Sequence, residues 1–118
     1  NDLPQIPTYE IAPANGPELM TNFVHQWGTI TDQYPDAGTL TVTLWRLDSK
    51  NERVAMPLTT EAINNRSLTE YYSHSLANAD NEIKFVLRVE DTAEGISEKE
   101  FKITVTTLPK SEEVSAVD

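Results

Sequence analysis

The chain contains no cysteine, which removes disulfide cross-links, thiol nucleophiles and thiolate metal sites together. Histidine is nearly as scarce. His25 and His74 are the only imidazoles, and their separation matches no metal-ligand spacing such as H-x-x-x-H. Long apolar runs are missing too, and none approaches the ~20 residues that a membrane-crossing helix requires. Basic residues are outnumbered, nine against nineteen acidic, for a formal net charge of −10 at pH 7. A field of that sign repels phosphate backbones and anionic headgroups, so nucleic acid is excluded as a partner and membrane insertion is not expected.

What is present is period two. In the stretch EIKFVLRVEDTAEGISEKEFKITV, one parity of the first run carries Ile83, Phe85, Leu87 and Val89, and one parity of the second carries Phe101, Ile103 and Val105. Lys84, Arg88, Lys102 and Thr104 fall between them. Alternation sustained over both runs predicts a β-hairpin with one face on a core and the other in water. The length of 118 residues fits one domain, large enough to bury roughly two-thirds of its unfolded surface without metals or disulfides.

Upstream, Pro4, Pro7, Pro13 and Pro17 crowd the first seventeen residues. Proline cannot donate to a ladder, so residues 1–17 read as a linker or an edge strand over Gln5 to Ala12. Phe23 to Thr31 has the mixed pattern of a strand near a bulge or bend. Thr39 to Leu47 alternates Leu40, Val42 and Leu44 with Thr41, Thr43 and Trp45, and the DSKNE turn returns the chain as a short strand from Arg53. TTEAINN predicts one helical turn capped by Thr59 or Thr60. Ser67 to Leu76 reads as a further strand. The domain is therefore expected over 18–107, with 108–118 a polar tail or linker. Six or seven short strands without a long helix favour a two-sheet antiparallel β-sandwich, with a small barrel as the runner-up.

The closing segment NEIKFVLRVEDTAEGISEKEFKITV resembles the last two strands of bacterial immunoglobulin-like domains of the cadherin-like and PKD-like kind. The resemblance rests on Phe85, Val89, Asp91, Gly95, Phe101, Ile103 and Val105. It implies an all-β, immunoglobulin-like sandwich of about seven strands, serving as a spacer, adhesion or interaction module of a larger protein that is secreted, periplasmic or at the cell surface. The opening NDLPQIP, without an initial methionine, fits a processed or excised piece of such a chain.

Two ligand chemistries follow. Calcium is one, because cadherin-like families bind it between repeats and Asp32, Asp36 and Asp91 fall in loops; an ordinary acidic turn, and for Asp91 an Asx bond to its own backbone, is the competing reading. Polysaccharide is the other, with Trp27, Trp45 and Tyr34 as stacking platforms, against core or edge packing of the same rings. Trp45 is the sharpest case, since its strand carries Leu40, Val42 and Leu44 on the opposite parity. Catalysis has little to stand on. G-x-S-x-G is absent around Ser97, and neither histidine has a partner placed by the sequence.

Overall fold

A computed structural model describes residues 3–32 and 39–109. Two sheets face each other. The smaller holds β1 (Tyr9–Ala12), β3 (Phe23–Trp27) and β6 (Ser67–Glu70) in the order β1-β3-β6; the larger holds β2 (Asn15–Pro17), β4 (Thr41–Leu47), β5 (Arg53–Met56), β7 (Glu82–Glu90) and β8 (Ile96–Thr106) in the order β2-β8-β7-β4-β5. Among the described residues one short α-helix, α1 (Thr60–Asn65), precedes β6. The hairpin expected from alternation is β7–β8, paired without interruption from Glu82↔Thr104 to Glu90↔Ile96.

The core is where the periodicity places it. Ile83, Phe85, Leu87 and Val89 from β7, Ile103 and Val105 from β8, and Leu44 from β4 pack against Ile11, Phe23 and Trp27 of the small sheet. Each fully buried side chain of this size stabilises the fold by about 1.5–3 kcal/mol before entropy is charged.

Three expectations change. The sandwich is not purely antiparallel, because the chain crosses from the small sheet to the large one between Ala12 and Asn15, which leaves β2 running parallel to β8. Strand β6 stops at Glu70, well short of Leu76. Beyond it the backbone turns so that the Tyr72 ring enters the core, and Ser73 caps a 3-10 turn over His74–Leu76 by accepting from the Ser75 N–H. In α1 the Thr59 side chain caps the helix, accepting from the Ala62 N–H at 3.0 Å, and left-handed Arg66 ends it. Within Phe23–Trp27 the ladder is regular, with no bulge.

Three loops share one construction. In 48–52, 78–82 and 91–95, the Oδ1 of Asp48, Asn78 or Asp91 accepts the N–H groups two and four residues on, at 2.7–2.9 Å. The N–H of the first residue donates to the carbonyl of the fifth, and the fourth residue, Asn51, Asn81 or Glu94, takes positive φ and donates to the carbonyl of the first. The short Asx side chain thus replaces backbone partners that a tight turn leaves without bonds.

Candidate functional site

The large sheet has an outer face turned from the core, and its register fixes what stands there. Across one row lie Ala55, Trp45, Val86 and Glu100; across the neighbouring rows lie Arg53, Leu47, Lys84 and Lys102 on one side, and Thr43, Arg88 and Glu98 on the other. Trp45 is half-buried. Val86 is 1% exposed although it lies outside the inter-sheet core cluster. These two residues therefore form a small apolar island on the solvent side of the sheet.

Charged side chains surround the island. Arg53 clasps Glu98 through two parallel bonds, Nη1 to Oε2 at 2.7 Å and Nη2 to Oε1 at 2.9 Å. Arg88 lies 3.6 Å from both Glu90 and Glu98, Lys84 is 3.7 Å from Glu100, and Lys102 is 3.2 Å from Glu82. The guanidinium of Arg53 holds the Glu98 carboxyl below its ordinary range. Beside the island opens a groove of about 330 Å³, walled by the 48–52 and 78–82 loops and floored by Lys84 and Lys102. Asp48 at its rim is held below the usual carboxylate range by the backbone N–H groups of Glu52 and Lys50. An aromatic surface flanked by hydrogen-bonding groups on internally hydrogen-bonded loops has the chemistry to hold a polar ligand with an apolar face.

The other residues singled out by sequence fare differently. Trp27 is 5% exposed and packs in the core rather than on a face. Its indole N–H, like that of Trp45, is buried with no hydrogen-bond partner among the described residues. Tyr34 and Asp36 lie outside the described residues. Asp32 follows the isolated bridge between Gln5 and Thr31 and is half-buried. Asp91 is 6% exposed, and its Oδ1 is taken up by the N–H groups of Ala93 and Gly95. Among the described residues no three histidine, aspartate or glutamate side chains converge as a metal-holding group.

Sequence reasoning missed a polar cluster inside the core. His25 is 0% exposed; its Nδ1 lies 2.8 Å from the Tyr9 hydroxyl and its Nε2 2.8 Å from the Tyr72 hydroxyl. Its ring meets Phe85 edge to face, with centroids 4.8 Å apart. Burial lowers the His25 pKa to about 4 and pushes both tyrosine hydroxyls well above their ordinary value. A neutral imidazole has one donor and one acceptor, so it donates to one tyrosine and accepts from the other. The cluster is sealed from solvent and joins β1, β3 and the segment after β6. His74, in contrast, is bound at the surface, with Nε2 2.7 Å from Oδ1 of Asn81.

No protein-family profile matches this chain, and no curated protein does. Among solved structures, it is similar to one reported for the structural basis of promiscuous specificity in carbohydrate-binding modules of the β-sandwich superfamily. That match has a TM-score of 0.57 and 20% identity over 91% of this chain, which spans 36% of that one. It is also similar to CopC from Methylosinus trichosporium OB3b, with a TM-score of 0.46 and 14% identity, covering 93% of this chain and 98% of that one. At such identities the first likeness shows the fold alone: a β-sandwich, with the cadherin-like and PKD-like kind not singled out. No helix among the described residues is long and apolar enough to cross a membrane.

Proposed function

We propose that this β-sandwich is a non-catalytic carbohydrate-binding module of a larger secreted, periplasmic or surface protein, and that it engages polysaccharide on the outer face of its large sheet. The observation that carries the reading is the placement of Trp45 on the solvent side of β4, beside a groove walled by two Asx loops. Support also comes from the fold, which is that of a structure described for carbohydrate-binding modules. The non-catalytic part is supported by the two histidines, each of which is committed to a structural contact. An immunoglobulin-like arrangement of the sandwich is supported by the order β8-β7-β4, which sets the two closing strands beside β4, opposite β1-β3-β6.

The test is electrophoresis through gels containing soluble polysaccharides. Retardation of the wild-type chain should disappear in Trp45→Ala and persist in Trp27→Phe. Equal mobility of wild type and Trp45→Ala in every gel overturns the reading.

A spacer or interaction role draws on a different surface. Glu18 links the loop after β2 to two other segments, its Oε1 accepting from the His74 N–H and its Oε2 from the Leu108 N–H. Around it Leu19, Met20, Tyr71 and Leu108 are 55%, 62%, 52% and 41% exposed. Such a grouping of apolar side chains at one pole supports contact with a protein neighbour.

A further inference from the structure

Arg53 stands on β5 and Glu98 on β8, and the strand order places β4 and β7 between them. Their side chains share the outer face, and the row between theirs is that of Trp45 and Val86. A bond joining Arg53 to Glu98 must therefore pass over the island. Such a cover, together with the flanking Lys84, Arg88 and Glu100 side chains, accounts for the burial of Val86 on a face turned from the core and for Trp45 being half-buried.

We propose that the Arg53–Glu98 pair is a displaceable strap across the Trp45 platform, and that the ligand which opens it is a neutral polysaccharide. Only the identity of the ligand rests on the function proposed above; the strap does not. The guanidinium only donates and the carboxylate only accepts. Vicinal sugar hydroxyls do both, so a neutral saccharide can accept from Arg53 and donate to Glu98 while its apolar ring face settles on the indole. An anionic polymer brings its own carboxylates up to Glu98 and meets a chain of net charge −10, so it is repelled where a neutral one is not. The pair is partly exposed, with side-chain accessibilities of 37% and 30%, so breaking it uncovers no fully buried charge. An exchange of partners of this kind is accessible to a weakly binding ligand.

The experiment uses chains carrying Trp27→Phe, so that Trp45 is the sole indole. Acrylamide quenching and emission maximum are compared for this parent, Arg53→Gln, Glu98→Gln and the charge-reversed pair Arg53→Glu with Glu98→Arg, each verified as folded by circular dichroism. Both single variants should raise the quenching constant and shift emission to the red, and the reversed pair should return towards the parent. Unchanged quenching in both single variants overturns the strap, whatever the chain binds.

Retention by a soluble neutral β-glucan and by polygalacturonate is then measured for wild type and the same variants. Arg53→Gln removes the ion pair but keeps an amide donor for the sugar, and should hold the neutral glucan about twofold to fivefold more tightly than wild type, the factor that an exposed ion pair is worth. Polygalacturonate should be held more weakly than the glucan by wild type and by Arg53→Gln, and equal or tighter retention by both overturns the neutral assignment. Quenching that rises without any gain in glucan affinity overturns the gating role. If no chain, wild type included, retains any glycan, the proposed function itself falls and takes the ligand assignment with it, while the quenching result still decides the strap.

Discussion

The Tyr72 hydroxyl meets Nε2 of His25 at 2.8 Å inside the core, across 47 positions of sequence. This bond and its counterpart from Tyr9 satisfy both ring nitrogens of an imidazole that water does not reach. Replacing Tyr72 by Phe keeps the ring that packs on Phe85 at 5.1 Å but removes the hydroxyl. The expected loss is about 1–3 kcal/mol, the cost of leaving one buried polar atom without a partner. Urea unfolding of Tyr72→Phe, Tyr9→Phe and the double variant checks it. The two losses should not add, because both act through one imidazole.

Acid should weaken the fold through the same residue. The His25 pKa is about 4 in the native chain against 6.5 for the ordinary group, so between those values the unfolded chain binds the extra proton and the folded chain does not. The contribution is fully present above pH 6.5 and declines as pH falls towards 4, amounting to about 3 kcal/mol across that window. Melting curves from pH 7.5 to 4.5 should show a steeper decline for wild type than for His25→Gln. A direct check is the nuclear magnetic resonance titration of the His25 ring, which should remain neutral at pH 5.5.

The buried Asx loop should matter more than its exposed equivalent. Asp91→Ala removes the acceptor of two N–H groups at a site 6% exposed and is expected to cost about 1–3 kcal/mol. Asp91→Asn keeps Oδ1 and should restore most of that stability. Asp48→Ala breaks the same two bonds in solvent and should lose less. A role for Asp91 as a calcium ligand predicts the opposite pattern, with Asn failing to rescue and added calcium raising the wild-type melting temperature.

Glu18→Ala should free the pole that it ties. The carboxylate is held below its usual range first by the His74 N–H, with the Leu108 N–H adding to the effect. Amide hydrogen exchange should accelerate at His74 and Leu108 in the variant while protection in β7 is unchanged, since that strand is paired on both sides.

How much of this was readable in advance depends on the range of the interaction. The β7–β8 hairpin is a local pattern of period two, and its facing residues follow from parity alone. The same parity places Trp45 opposite Leu44, which the ladder confirms without a bulge. Thr59 as a cap is equally local. The alternation over Ser67 to Leu76 runs past the end of β6 at Glu70 because Leu68, Tyr72 and Leu76, four apart, satisfy period two whether or not the backbone remains extended. The His25 cluster was beyond reach, since Tyr9 and Tyr72 are brought to the imidazole by separate strands. The strap is of the same kind: Arg53 and Glu98 are 45 positions apart, and only the strand order shows what lies beneath them. Parity leaves Trp45 either facing out or turned inward at a bulge, and the uninterrupted β4–β7 ladder decides for the outer face; its cover is not a local property of the sequence.

The crossing of the leading segment into the large sheet has a mechanical side. Because β2 runs parallel to β8, opposed forces applied before β2 and after β8 draw those two strands past each other along their length. Their hydrogen bonds then bear the load together instead of opening one at a time from an end. In a protein held under tension between an anchored partner and a moving one, that seam would set the force at which the sandwich yields.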